Sequence, residues 1–108
     1  MDSEESQIIV PPSFVELFLE PGRTRPTASR AHITLRYEFC EDLAQLLCQR
    51  SQEIRADLGV TEDDVLERMR RGLQGADSGV DAGEARWVFT RLLELLGRAP
   101  DPDRRRGD

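Results

Sequence analysis

"SRAHITLRYEFCEDLAQLLCQRSQEIRADLG", residues 29–59, is the stretch on which the fold turns. Within it Ile33, Tyr37, Cys40, Ala44, Leu47, Ile54 and Leu58 recur at steps of three, four or seven, the spacing that lines one face of a helix. A second row, Leu35, Phe39, Leu43 and Leu46, lies beside the first and widens the apolar stripe. The stretch reads as one long helix with Thr27 or Ser29 as its cap and Gly59 as its stop. A bend is expected near "QRSQ" (49–52), where the apolar content thins.

Working outward from this spine, each flank carries helix punctuation. Upstream, Ser13 and Glu16 form an S-x-x-E capping box at the head of "FVELFLE" (14–20), and Pro21-Gly22 stops the helix after two turns. Its apolar residues Phe14, Val15, Leu17, Phe18 and Leu19 cover more than one face, so such a helix is either buried on two sides or buried on one and sticky on the other. Downstream, Thr61 with Asp64 opens a third helix whose inner face is Val65, Leu66, Met69 and Leu73. Asp81 with Glu84 opens a fourth, carrying Ala85, Val88, Phe89, Leu92, Leu95 and Leu96. No run alternates with period two and is rich in β-branched residues, so no strand is expected. The fold class is therefore all-α, a small four-helix bundle with one long central helix and disordered termini. Residues 1–12 read as a flexible N-terminal segment, 13–97 as a single helical domain, and 98–108 as a disordered charged tail.

Composition excludes several functions. With 108 residues there is room for one domain and one modest core. The net charge of −6 argues against coating nucleic acid or an anionic membrane, both of which ask for a net basic footprint. All 15 basic residues are Arg, a usage that GC-rich bacterial genomes produce. Without a Lys there is no phosphate loop of the G-x-x-x-x-G-K-[ST] type. The single histidine, His32, has no partners at metal-ligand spacing, and "DSGVDAGE" (77–84) lacks the register of a calcium loop, so neither a metal nor another cofactor is expected. Cys40 and Cys48 stand eight residues apart on one helix, about 12 Å along its axis, which is beyond the reach of a disulfide. The acidic N-terminus has no signal or membrane-spanning character, so the reading is a cytoplasmic protein without a membrane partner.

Three surfaces are candidates for binding. In the loop "PGRTRPTASR" (21–30), Arg23, Arg25 and Arg30 flank Thr24, Thr27 and Ser29 just before a helix N-terminus, where free backbone N–H groups favour an anion. Arg68, Arg70 and Arg71 end the third helix and complement its dipole; joined with Arg104, Arg105 and Arg106 they would make a basic surface for nucleic acid, a partner that Glu62, Asp63, Asp64 and Glu67 on the same helix argue against. The acidic run Glu38, Glu41, Asp42, Glu53 and Asp57 is a solvated helix face or the receptor for an Arg-rich segment, including the loop of a second copy. Trp87 and Phe89 project from different sides of the last helix, which puts one of the two rings at the edge of the core.

"VPPSFVELFLEPGR" (10–23) followed by "PTASRAHITLRYEFCEDLAQLL" (26–47) resembles small proteobacterial proteins, some of which carry the label "ATPase with chaperone activity". The resemblance implies a chaperone-associated role, and it carries no catalytic residues over to this chain. Two expectations follow for function. The first is a helical interaction module, an adaptor or regulatory protein without catalytic activity that binds another protein, or a second copy as a homodimer, through Phe14, Phe18, Arg23 and Arg25. The second is a non-hydrolysing binder of a small anionic ligand or nucleotide at Arg23, Arg25, Thr27, Ser29 and Arg30.

Overall fold

The long periodic stretch becomes a helix because both of its ends are satisfied. In a computed structural model that describes residues 8–98, this helix, α2, runs Arg30–Leu58 without interruption. Ser29 rather than Thr27 is the cap: its Oγ accepts the His32 backbone N–H at 3.1 Å, serving one of the donors that a helix start leaves free. At the other end Gly59 adopts φ 69, which only glycine takes without strain, and its N–H donates to the Arg55 carbonyl at 2.9 Å.

The two downstream helices start where their caps predict. α3 spans Glu62–Leu73, with Thr61 Oγ1 accepting the Asp64 N–H at 3.1 Å. α4 spans Ala82–Leu95 and opens on a complete capping box: the Glu84 N–H donates to Asp81 Oδ1 at 2.8 Å, and the Asp81 N–H donates to Glu84 Oε1 at 3.1 Å.

The first helix differs from expectation. α1 is a single turn, Pro12–Val15, continued by a 3-10 turn over Glu16–Phe18. Ser13 does not cap it, because the chain enters two residues earlier, at Pro11. The Phe14 and Val15 N–H groups both donate to the Pro11 carbonyl, at 2.9 and 3.2 Å, and Pro12 has no N–H to satisfy. That frees the Ser13 Oγ to accept the indole N–H of Trp87 at 3.0 Å, which ties α1 to α4.

Ion pairs show how the helices run. Arg55 and Arg98 both reach Glu62, at 3.4 and 3.0 Å, so the end of α2, the start of α3 and the end of α4 meet at one end of the bundle. Near the other end Arg36 meets Glu84, and between them Arg91 meets Glu41 at 2.9 Å. α2 runs up, α3 down and α4 up again, with α4 lying along the first half of α2. Four helices, one of them long, and no strand among the described residues make up the all-α fold.

The core gathers Phe14, Ile33, Cys40, Ala44, Leu73, Ala85 and Val88. Phe14 is completely buried, edge-on to Tyr37 at 5.7 Å and to Trp87 at 5.1 Å. Burying one such ring contributes about 2–3 kcal/mol from area alone. Trp87 and Phe89 are both half-buried at the edge of the core, Trp87 on the side of α1. Both cysteines are free, and burial pushes the Cys40 thiol up to about 12.

One expectation about α2 is overturned. Leu35, Phe39 and Leu46 do not widen the buried stripe; they are 65%, 42% and 53% exposed. The reason is angular. Residue 35 follows residue 33 by about 200° round a helix, so Leu35, Phe39 and Leu46 look away from the core, and of the second row only Leu43 packs against it. Two residues just outside the 13–97 domain make contact with it. Val10, assigned to the flexible segment, packs on the core, and Arg98, assigned to the tail, is paired with Glu62 and Asp63. The remaining expectations for the two termini concern residues 1–7 and 99–108, outside the described residues.

Candidate functional site

The arginine loop is shaped by two short backbone links. Pro21 and Gly22 sit at the centre of a turn closed by the Arg23 N–H donating to the Glu20 carbonyl at 2.9 Å, with Gly22 at φ 78 as the third position of a type II turn requires. Five residues on, the Thr27 N–H donates to the Phe18 carbonyl at 2.6 Å and folds the loop back against the 3-10 turn. Arg23, Thr24 and Arg25 are left exposed on the outer bend.

Behind this bend lies a groove of about 760 Å³ at the start of α2. It is lined by the apolar Ile8, Ile9, Val10, Val15, Ala28 and Ile33 together with the exposed Arg25 and Arg30. Sequence reasoning placed both arginines in a binding loop but missed the groove. The apolar wall comes from residues 8–10, which the reading had assigned to a flexible segment, and Ile9, 82% exposed, is the kind of side chain that would signal it.

The structure sorts the remaining candidate residues. Phe14 is removed from the protein-binding set: with no exposed surface it is the centre of the aromatic cluster, and no partner reaches it. Phe18 is half-buried, 5.7 Å from the Phe14 ring and 6.0 Å from the exposed His32 ring. Arg23 does not line the groove, nor does Thr27. The Ser29 Oγ is engaged as the helix cap. Of the five residues proposed to hold an anion, only Arg25 and Arg30 share the groove.

The other charged candidates have local partners. Arg70 and Arg71 both pair with Glu67 on their own helix, at 2.7 and 3.6 Å, which uses up most of the basic trio at the end of α3. Arg104, Arg105 and Arg106 lie outside the described residues. In the acidic run, Glu41 is taken by Arg91 and Glu53 by Arg50. Burial raises the Glu41 carboxyl, but hydrogen bonds from Arg91 and Gln45 more than offset this and hold it below the usual carboxylate range.

The strongest polar contact was invisible along the chain, because its partners are far apart in sequence. Arg36 grips the nearly buried Glu84 with two parallel hydrogen bonds of 2.8 Å and gives a third, also 2.8 Å, to the Gly79 carbonyl. The Arg36 hydrogen bonds hold the Glu84 carboxyl below its ordinary value. The guanidinium also lies 4.9 Å from the centre of the Phe39 ring. This cluster locks α2, the loop before α4 and the α4 capping box together, and it is a structural joint.

A second groove, about 610 Å³, runs between α1 and α4, with Tyr37, Trp87, Arg86 and the Glu41–Arg91 pair on its walls. Among the described residues no group of three or more His, Cys, Asp or Glu side chains is placed to hold a metal ion, and no helix is long and apolar enough to cross a membrane. What the surface offers is apolar contact edged with charge. Set against known proteins, the chain matches no family model, no curated protein and no solved structure.

Proposed function

We propose that the protein is a small helical interaction module, an adaptor or regulatory protein of the cytoplasm that docks another protein and has no catalytic activity of its own. The observation that carries this reading is the groove at the start of α2, in which an apolar floor and a two-arginine rim occur together. An apolar side chain from a partner would fill the floor while an acidic residue beside it meets Arg25 and Arg30; such desolvated anchors supply most of the energy of an interface. A chaperone-associated role, suggested by the resemblance of residues 10–47, fits a module that recognises exposed apolar segments. Two free thiols suit a reducing compartment.

The test is affinity capture from a lysate of the source organism with the tagged full chain, compared with an Arg25→Glu/Arg30→Glu variant and with Ile9→Asp, each checked for unchanged helicity. A protein held by the wild type, lost by both variants and then shown to bind in purified form is the expected result. Identical captured sets would end the reading. The second reading, a small anionic ligand, is favoured by the same two arginines at a helix N-terminus. It predicts that a nucleotide or phosphorylated metabolite at about 100 times its dissociation constant stabilises the chain by about 2.7 kcal/mol.

A further inference from the structure

The side of α2 that faces away from the core carries an open helix-pairing seam. Leu35, Phe39, Asp42, Leu46, Gln49 and Glu53 follow one another at alternating steps of four and three, the spacing on which two helices interlock side chains. Leu35, Phe39 and Leu46 are 65%, 42% and 53% exposed, while the opposite face of the same helix buries Ile33, Cys40, Ala44 and Ser51. A Leu exposed this far on a helix already packed on one side is ordinary when it stands alone. Three in one seam within twelve residues form a patch.

Charge decides what fits it. Asp42 is exposed in the middle of the seam, Glu38 lies beside it, and Glu53 and Asp57 extend the acidic edge. Of the arginines on this side, Arg36 is committed to Glu84 and Gly79, and Arg50 is paired with Glu53. A second copy is therefore a poor occupant. An antiparallel pairing that sets Leu35 against Leu46 of the other copy has its axis between residues 40 and 41, which brings the two Asp42 carboxylates within about one helical turn of each other. A parallel pairing puts them directly opposite. Either way two like charges share an apolar seam, and in the parallel pairing Glu53 also meets Glu53.

We propose that this face of α2 docks an amphipathic helix from a different protein, one with an apolar seam flanked by arginines or lysines and a basic side chain opposite Asp42. The docking helix lies along Leu35, Phe39 and Leu46, with its basic edges on Glu38, Asp42 and Glu53. Asp42 sets the choice of partner, because only a cation across the seam leaves it paired. This surface is distinct from the arginine-rimmed groove and selects the opposite charge, so the two can hold two different segments at once.

The experiment uses the full chain and a designed helical peptide of about 21 residues with leucines on its seam and arginines at its edges, including one opposite Asp42. The control peptide has glutamates at the same edges. Binding of the basic peptide, followed by fluorescence anisotropy, should exceed that of the acidic peptide by at least about tenfold and weaken with added salt. Leu35→Gln/Leu46→Gln should lower it by about thirtyfold with unchanged thermal unfolding. Asp42→Leu should reduce the preference for the basic peptide severalfold and shift the chain from monomer toward dimer in sedimentation. Equal binding of the two peptides overturns the proposal. So does a wild-type chain that is already a dimer and is made monomeric by Leu46→Asp, which assigns the face to a second copy. Binding that appears only in a full-length Arg104→Ser/Arg105→Ser/Arg106→Ser variant overturns it too, because those arginines would then be the occupant. The variants of the groove, Arg25→Glu/Arg30→Glu, should leave peptide binding unchanged, so failure here and failure of the groove reading are told apart.

Discussion

The two faces of α2 are made from similar residues and have opposite fates. Ile33 is 5% exposed and Leu35, two positions on, is 65% exposed. The inner face is closed by α3, α4 and the Phe14 cluster, whereas the outer one is left largely open, with Phe39 alone partly covered by Arg36 and Gly79. Hydrophobicity alone therefore does not say which apolar row is the core. The row that wins is the one whose neighbours bring complementary shape and satisfied polar groups, and the other row is left for a partner. The Arg36–Glu84 joint marks the border between them, since the same guanidinium reaches inward to the α4 cap and outward over the Phe39 ring.

The contrast can be broken most decisively at its centre. Phe14→Ala should cost about 3–5 kcal/mol in urea unfolding, because the ring is fully enclosed and its removal leaves a cavity between Tyr37 and Trp87. A cost below about 1 kcal/mol would mean that the aromatic cluster does not anchor α1.

Next in size is the joint. Arg36→Met should cost about 3 kcal/mol, mostly the penalty of leaving the nearly buried Glu84 carboxylate without its partner. The same pair makes stability depend on pH. The Glu84 and Glu41 carboxyls lie below their ordinary values in the fold, so they stabilise it fully above the unfolded carboxylate range, about pH 4.3, and the contribution is lost as pH falls through the lower folded values. Urea midpoints should be flat from neutral pH down to about 5 and fall below about 4, and Arg36→Met should remove part of that fall. A midpoint that rises on acidification would contradict the assignment.

A smaller effect sharpens the comparison of the faces directly. Ile33→Ala should destabilise by about 2–3 kcal/mol, and Leu35→Ala by no more than about 0.5 kcal/mol, in the same unfolding assay. Equal costs would show that the outer row is covered in solution. The smallest effect is chemical. With a maleimide near neutral pH, half-buried Cys48 should be labelled in the folded protein while Cys40, enclosed and with its thiol raised to about 12, reacts only after unfolding.

Much of this molecule is local physics and was legible in the chain. The Ser29, Thr61 and Asp81 caps, the Gly59 stop and the all-α class all follow from side chains acting on backbone within four residues of themselves. Where local signals competed, the sequence misled. Ser13 looked like a cap until the two prolines before Phe14 are seen to shift the helix start, and Phe14 looked like part of a sticky face until Tyr37 and Trp87 close over it. The grip of Arg36 on Glu84, the Trp87 N–H on Ser13 and the groove between residues 8–15 and the start of α2 join positions far apart in sequence. Spacing along the chain carries no information about such pairs. Only tertiary packing decided which apolar row of α2 became core and which was left facing solvent, because that choice depends on where α3 and α4 come to rest.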